Sequence, residues 1–251
     1  MFALYGWDCR KIEHDGKRIF GIRFASFSFH LQQPRFSIYG NESMQKINYQ
    51  KEMEKLIEQC RKREEAPKLL LHSCCAPCSS AVLERLAEDF RITVLYYNPN
   101  IAPQTEYENR IKEQERFVTE LPTKYPISFL AGAYDTKRFY DAVKGMENVP
   151  EGGERCFVCY ELRLRETARL AKENGFDFFT TTLSISPLKK ADKLNEIGGK
   201  LAEEYGVPYL FSDFKKKEGY KRSIELSAQY GLYRQDYCGC VYSMRSQEVI
   251  I

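Results

Sequence analysis

The sequence predicts an α/β fold in which a mostly parallel sheet carries helices on both faces. From residue 68 onward, short apolar runs alternate with amphipathic segments of helical period, and this alternation favours parallel strands joined by helices. Gly175 and Gly206 each follow a helical segment, where glycine readily adopts the left-handed conformation that ends a helix. Cysteine-rich and polar loops follow several of the runs, so we expect a site at the carboxyl edge of the sheet.

The predicted strands are short apolar runs of the kind that fill the interior of a parallel sheet, such as Leu69-Leu70-Leu71. In chain order they occupy residues 69–72, 92–97, 127–130, 176–182 and 207–211. The predicted helices carry apolar residues three or four positions apart, as Val82, Leu83 and Leu86 do. They occupy residues 50–64, 82–90, 106–121, 159–174 and 192–205.

Residues 1–43 do not continue this pattern and are predicted to be a variable N-terminal extension of an α/β domain at residues 44–251. Within the extension, alternating apolar residues at 20–29 predict a hairpin that turns at Asp15-Gly16. No apolar run of about 18 residues is present, so no membrane span is expected. The N-terminus also lacks the pattern of a secretory signal. Nine cysteines without such a signal indicate metal or redox chemistry in the cytoplasm rather than disulfides.

Seven of the nine cysteines form three clusters: Cys74, Cys75 and Cys78; Cys156 and Cys159; Cys238 and Cys240. The first cluster opens a predicted helix, whose N-terminus favours the thiolates that ligate metals. Four thiols suffice for one structural zinc or one four-iron cluster. The remaining three indicate a second, open metal or redox turnover, and two structural zincs that share ligands are the alternative. Cys9 and Cys60 have no partners nearby in the sequence and are interpreted as incidental.

Polar residues that follow the other predicted strands are expected to share an edge of the sheet with the cysteines. Those after the second strand could hold a substrate base, and the hydroxyls after the fourth could hold a phosphate or sugar, or cap a helix. The candidates are Tyr97, Asn98, Asn100, Glu106, Arg110, Thr181, Ser184 and Ser186. His72 lies within the first strand and is interpreted as a packed core histidine rather than a metal ligand.

The net charge of +3 is too small to identify a nucleic-acid-binding protein by itself. Two local runs of basic residues could nevertheless contact phosphates, because a charged patch is what electrostatic RNA binding requires. Lys189 and Lys190 form one run, and the run at residues 215–222 includes Lys221 and Arg222. The alternative interpretation of both runs is a solvated helix face.

Five motifs together resemble the QueH class of epoxyqueuosine reductases, and the resemblance covers about residues 66–245. The motifs are Cys74-Cys75-Ala76-Pro77-Cys78, Tyr97-Asn98-Pro99-Asn100-Ile101, Cys156-x-x-Cys159-Tyr160-x-x-Arg163-Leu164, the run of residues 180–187 and the run of residues 233–240. The resemblance implies the last step of queuosine synthesis, in which an epoxide on the modified wobble base of tRNA is reduced to a cyclopentene and water is released. It also implies an ATP-pyrophosphatase-like (HUP-like) α/β fold. The cysteine loop replaces the glycine-rich phosphate loop, so ATP binding is not expected.

The cofactors that the resemblance implies are a four-iron four-sulfur cluster and an adjacent single iron, reduced by an external electron donor. We assign the cluster mainly to Cys156, Cys159, Cys238 and Cys240, with Cys75 in the loop that leads toward the single iron. Some members carry Asp where this chain has Cys78, which makes Cys78 a candidate ligand of the single iron. The tRNA and substrate residues would then be Tyr97, Asn98, Asn100, Arg110, Arg163, Thr181, Ser184, Ser186, Lys189, Lys190, Lys221 and Arg222.

Three residues are candidates for the proton donor, namely Asp236, Tyr237 and Glu106, and the sequence does not choose among them. Two other functions remain open at this stage. An iron–sulfur tRNA thiolase would require ATP and would adenylate tRNA, whereas a zinc-stabilised RNA-binding module would contain zinc and no acid-labile sulfide.

Overall fold

The computed structural model describes residues 47–244, so the predicted extension at residues 1–43 and its hairpin lie outside the described part. The described strands are β1 (Lys68–His72), β2 (Arg91–Tyr96), β3 (Ser128–Ala131) and β4 (Phe178–Thr181). The α-helices are α1 (Tyr49–Arg61), α2 (Ala76–Leu86), α3 (Gln104–Glu120), α4 (Thr136–Ala142), α5 (Glu154–Glu173), α6 (Ala191–Tyr205) and α7 (Gly219–Gln229). Short 3₁₀ helices cover Thr182–Ile185 and Val241–Ser243. Within residues 47–244, no helix has both the length and the apolar character needed to cross a membrane.

The four strands form one sheet in the order β3-β2-β1-β4, and every neighbouring pair is parallel. This confirms the predicted α/β class with a mostly parallel sheet. The chain runs outward from β1 through β2 to β3 and then returns to the other side of β1 as β4. The strand order therefore reverses at β1, and the loops that follow β1 and β4 flank the crevice in which open α/β sheets bind ligands.

The predicted strand at residues 207–211 is wrong. This segment makes only one parallel bridge, between Tyr209 and Phe179 of β4. Pro208 has no N–H to donate to a ladder, although its carbonyl accepts a hydrogen bond from Phe179 N at 3.1 Å. The predicted fourth strand also ends early, because residues 182–185 form a 3₁₀ turn. Helix α4 has no counterpart in the prediction, and α7 is anticipated only by the alternative interpretation of the basic run at residues 215–222 as a solvated helix face.

Strand β1 is buried on both faces, which explains its uninterrupted apolar run. Leu69 and Leu71 pack on one face with side chains of α1 and α2, whereas Leu70 packs on the other with side chains of α5 and α6. His72 ends the strand and is fully buried. The carbonyl of Tyr97 accepts from His72 Nε2 at 3.1 Å, so Nδ1 accepts from the Thr181 hydroxyl at 2.8 Å.

Burial, with Arg163 nearby, lowers the pKa of His72 to about 3. The ring is therefore neutral, and both of its nitrogens are occupied by internal hydrogen bonds. This confirms the interpretation of His72 as a packed core histidine.

Helix α6 approaches residues 207–211 so closely that Gly198 has no room for a side chain. A Cβ at Gly198 would lie 2.5 Å from Tyr209 Cζ. Alanine is favoured over glycine in a helix by about 1 kcal/mol, but overpacking costs about 1–3 kcal/mol. We therefore expect Gly198→Ala to lower the free energy of unfolding by up to about 2 kcal/mol, as measured by urea denaturation.

Gly199→Ala is the matched control for this prediction. Its Cβ would lie 3.3 Å from Cζ of the half-buried Phe211 ring, a much less close approach than that of Gly198 to Tyr209. The control should be as stable as the unsubstituted protein or slightly more stable. Equal stability of the two variants would contradict the close packing of Tyr209 on α6.

Candidate metal centre

The first cysteine cluster lies between the end of β1 and the start of α2. The Sγ atoms of Cys74, Cys75 and Cys78 all lie within 4.8 Å of one another, close enough to hold a metal ion. Cys75 is the extended residue directly before α2, and Pro77 lies in the first turn, where its missing N–H costs no hydrogen bond. Hydrogen bonds from Cys75 and Cys78, with Lys189 and Arg163 nearby, hold the pKa of Cys74 well below its usual value. The cluster therefore favours a thiolate, the form that binds metal.

The second and third clusters line one cavity. Cys156 and Cys159 lie in the first turns of α5, and Cys238 and Cys240 face them from the segment that follows α7. The Sγ atoms of Cys238 and Cys240 are 3.6 Å apart. The Gly152 N–H donates to Cys156 Sγ at 3.2 Å, so the loop before α5 already supports this sulfur. Four thiols thus surround a common space.

Two cations connect this cavity with the first cluster. Arg163 is only 3% exposed, and Lys189 lies on the cavity wall. Burial opposes the charge of Arg163, but the nearby Cys159, Cys74 and Cys238 outweigh it and raise the pKa. Burial likewise opposes the charge of Lys189, and Cys238, Cys74 and Cys78 raise its pKa. Both cations line the cavity of the second and third clusters, and Cys156 packs in one apolar cluster with the cysteines of the first, so all three predicted clusters lie close together.

The loop after β2 supports the cysteine segments rather than presenting its polar groups to solvent. Asn98 is fully buried. Its Nδ2 donates to the carbonyl of Ser73 at 2.8 Å, and its Oδ1 accepts from Arg163 Nη1 at 3.5 Å. The carbonyl of Gly239 accepts from Ala102 N at 2.9 Å. These contacts fasten the first and third clusters to the end of β2.

Several of the predicted substrate residues are also buried. Thr181 is bonded to His72, and the Ser184 hydroxyl accepts from Phe214 N at 3.3 Å. Tyr97 and Asn100 are buried, and within residues 47–244 the Tyr97 hydroxyl and Asn100 Oδ1 have no hydrogen-bond partner. Ser186 is half-buried and accepts from Leu188 N at 3.3 Å. Substrate contact by these residues stays a prediction.

The three candidate proton donors lie in different surroundings. Glu106 accepts from Arg110 Nε at 2.6 Å, and the Arg110 guanidinium lies over the Tyr237 ring at 5.3 Å from its centroid. Asp236 is exposed. Arg110 is 2% exposed, and its Nη1 donates to the carbonyl of Cys238 at 3.4 Å. Glu106, Tyr237 and Arg110 are thus brought together beside the third cluster, while the identity of the proton donor stays a prediction.

The two basic runs differ in their surroundings. Lys190 is exposed, and its Nζ lies 5.1 Å from the ring centroid of Phe157. In the sequence, Phe157 lies between the two cysteines of the second cluster. On α7, Arg222 donates to both carboxylate oxygens of Glu84 at 2.7 and 2.8 Å. Lys221 lies 3.6 Å from Glu218. Carboxylates therefore offset much of the positive charge of the run at residues 215–222, whereas the run at Lys189 and Lys190 lies next to the cysteine cavity.

Phe157 and Lys193 were missed by the sequence analysis. The Nζ of Lys193 lies 5.4 Å from the centroid of the Phe157 ring, so two lysines lie over one half-buried ring. The position of Phe157 between Cys156 and Cys159 was the available signal. A residue between two cysteines that are predicted to bind metal necessarily lies close to the predicted centre.

The family model described as epoxyqueuosine reductase QueH matches residues 69–246 of the chain. A protein of Staphylococcus epidermidis named epoxyqueuosine reductase QueH is 44% identical over 209 residues, which are 82% of this chain and 88% of that protein. Proteins of the same name from Streptococcus pyogenes and Staphylococcus aureus are 42% and 43% identical over 207 and 209 residues. These matches cover 82% of this chain in both cases, with 81% and 87% of the respective relatives. The matched region contains all three cysteine clusters that converge here, and the chain belongs to the QueH family of epoxyqueuosine reductases.

Proposed function

We propose that this protein reduces epoxyqueuosine to queuosine at the wobble position of tRNA, the final step of queuosine synthesis. In this reaction the epoxide carbons form a double bond, and the oxygen leaves as water after uptake of two electrons and two protons. The observation that carries the proposal is the packing of three cysteine clusters close together, beside Arg163 and Lys189, in a chain of the QueH family. The electrons come from an external donor, and a cytoplasmic location accords with the reduced thiols that such a centre requires.

The donor set fits a four-iron four-sulfur cluster together with a single iron. Cys156, Cys159, Cys238 and Cys240 line one cavity and supply the four thiolates that such a cluster requires. Cys74, Cys75 and Cys78 form a separate group of three, which leaves an open position on a metal with tetrahedral ligands. Cys75, the residue directly before α2, would lead from the cluster toward the single iron. When bound, these groups would supply one-electron transfer and Lewis acidity.

The protein's own residues prepare this site in two ways. Arg163 and Lys189 offset the negative charge that several thiolates concentrate in a buried space. The burial of Cys74, Cys75, Cys159 and Cys240 restricts water near the metal, where it would compete for an open coordination position. We infer that a substrate base enters over the exposed rim of the cavity at Leu188, since the neighbouring Lys190 lies over the half-buried Phe157 ring.

We propose that this rim holds the RNA through the Phe157 patch, defined as Phe157, Lys190 and Lys193. An aromatic ring beside cations suits single-stranded RNA, since bases stack on the ring and phosphates attract the lysines. One stacked base contributes about 1–3 kcal/mol. Phe157→Ala should therefore raise the Kd for an anticodon stem-loop RNA about tenfold, and Lys190→Ala should reduce the salt slope of binding by about 1.

Fluorescence anisotropy with an unmodified stem-loop measures both effects without any turnover. Lys172→Ala is the matched control, because this exposed lysine lies in the last turn of α5, at the opposite end from Phe157. The control should bind like the unsubstituted protein. Equal Kd values for Phe157→Ala and Lys172→Ala would show that the patch does not contact RNA.

The test of the function itself uses anaerobically reconstituted protein with quantified iron and sulfide. Incubated with dithionite and tRNA that contains epoxyqueuosine, it should yield queuosine, detected by mass spectrometry of the digested RNA. Iron-loaded protein that leaves the epoxide intact would refute the proposal. Adenylation of tRNA would favour a thiolase, and colourless protein with zinc but no sulfide would favour an RNA-binding module.

A further inference from the structure

Gln114 of α3 is a fully buried polar residue that contacts both ends of the first cysteine cluster. It is 0% exposed, as are Ser73 and Ser79. The Ser73 hydroxyl donates to Gln114 Oε1 at 2.7 Å, and Gln114 Nε2 donates to the Ser79 hydroxyl at 3.0 Å. Ser73 directly precedes Cys74, and Ser79 directly follows Cys78. One amide therefore bridges the two residues that enclose the three cysteines.

The hydrogen bonds of this network run in one direction, from the end of β1 to the first turn of α2. The Ser79 hydroxyl, which accepts from Gln114, donates in turn to the carbonyl of Ala76 at 3.0 Å. The Ser73 hydroxyl lies closer to Gln114 Oε1 than to the carbonyl of Cys75, which is 3.3 Å away. Hydrogen bonds that form such a chain polarise and strengthen one another.

The backbone at the two ends of the cluster is held by different elements. Ser73 N donates to the carbonyl of Leu95 at 2.9 Å, and the carbonyl of Ser73 accepts from Asn98 Nδ2 at 2.8 Å, so Ser73 is fixed to the sheet. Ser79 N donates to the carbonyl of Cys75 at 3.1 Å and belongs to α2. The spacing of the cysteines thus depends on how α2 sits relative to the sheet, and Gln114 joins the two from a third element.

Helix α3 is well placed to hold this amide. Phe117 lies close to Gln114 along α3 and packs in the same apolar core as Ala76 and Val82 of α2. A methionine would fill the space of Gln114 in that core without needing hydrogen bonds, whereas a buried amide costs about 1–3 kcal/mol for each polar group left unpaired. An amide at this position therefore indicates a role for its hydrogen bonds and not for packing alone.

We propose that Gln114 is a positioning residue that bridges Ser73 and Ser79, sets the spacing of the three thiols between them, and so raises their affinity for a metal ion. The Sγ atoms of the three cysteines lie within 4.8 Å of one another. Ligands that are already held in the binding geometry lose less conformational freedom when the metal binds. Groups that orient metal ligands from behind typically account for about 10–100-fold of the affinity.

This inference rests on the proposed function only in that the first cluster binds a metal, so the test uses Co²⁺ alone, without iron or tRNA. Co²⁺ lies next to Fe²⁺ in the order of affinities of divalent metals, and its thiolate complexes absorb visible light, so an anaerobic titration followed by absorbance gives the Kd. All variants carry Cys156→Ser and Cys159→Ser, which leave two thiols in the cavity of the second and third clusters. Gln104→Met is the matched control, because Gln104 lies on the same helix and its amide donates to Glu108 at the surface.

Gln114→Met should raise the Kd for Co²⁺ about tenfold or more, with the far-ultraviolet circular dichroism spectrum unchanged, and Gln104→Met should leave the Kd unchanged. Ser73→Ala combined with Ser79→Ala should raise the Kd by a similar factor. Adding Gln114→Met to this pair should raise it little further, because changes within one hydrogen-bond network are not additive.

Equal Kd values for Gln114→Met and Gln104→Met would overturn the proposal. Losses that multiply in the triple variant would overturn it too, since Gln114 would then act without the serines. If Gln114→Met does not fold, the pair of serine substitutions decides, and an unchanged Kd there would overturn the proposal equally. Protein that binds Co²⁺ as expected but does not convert epoxyqueuosine after iron loading would refute the proposed function and leave this inference intact.

Discussion

Arg163→Met is expected to abolish assembly of the metal centre while leaving the sheet folded. Arg163 is a buried cation. Burial opposes its charge, but the nearby Cys159, Cys74 and Cys238 raise its pKa. Methionine fills a similar length but supplies no charge, so the thiolates would lose their compensation and take up protons. Removing one partner of a buried ionic group costs about 3–5 kcal/mol, which corresponds to metal binding weaker by a factor of about a hundred or more. Iron and acid-labile sulfide per chain after reconstitution measure this loss.

Arg165→Met separates this effect from a general effect of removing charge from α5. Arg165 is half-buried and pairs at the surface with Glu161 and Glu204, and such pairs contribute at most about 1 kcal/mol. This control should load iron normally. Full iron loading of Arg163→Met would show that Lys189 alone balances the thiolates.

Gly239→Ala is the second substitution with a large expected effect. Gly239 separates Cys238 from Cys240 at a φ of 101°, where an L side chain is strained by about 1–3 kcal/mol. An added Cβ would also lie 2.9 Å from Ile101 Cγ1 and 3.0 Å from Arg110 Nη1. The turn would have to move away from α3, and both sulfurs would leave their places. We expect loss of most iron and of turnover, with the far-ultraviolet circular dichroism spectrum unchanged.

Gly231→Ala provides a control for backbone strain in the same part of the chain. Gly231 also has a positive φ, of 58°, but its Cβ would meet no atom within 4 Å. This variant should lose about 1 kcal/mol of stability and retain its iron. If both variants lose iron equally, the close approach of Gly239 to Arg110 and Ile101 has no role in the site.

The sequence alone was sufficient to predict the parallel sheet and the cysteine clusters, because both are indicated by local sequence patterns. The run Leu69-Leu70-Leu71 predicts a central strand since both faces of β1 are covered. By contrast, the strand predicted at residues 207–211 failed, because apolar character does not show that Pro208 interrupts a ladder. Helix α7 was anticipated only as an alternative, because its basic residues gave the segment the pattern of a charged surface.

The parts of the site that could not be predicted depend on contacts between distant residues. Nothing in the sequence around Asn98 indicates that its amide donates to the carbonyl of Ser73, because that hydrogen bond follows from the register of β2 beside β1. Arg110 and Glu106 were read as a substrate contact and a proton donor from their place after β2. Their partner at Cys238 lies more than a hundred residues further along the chain, so no local pattern connects them.

His72 has a consequence for how the protein would acquire the proposed metal centre. Through Tyr97 and Thr181, its two ring nitrogens tie the ends of β2 and β4 to the end of β1, and the first cluster begins two residues later. The frame that carries the cysteines is therefore held by bonds that require no iron. In small zinc domains, metal binding supplies the folding energy itself. On the proposed function, we therefore expect folding and iron loading to be separate events, with iron delivered to a chain that is already folded.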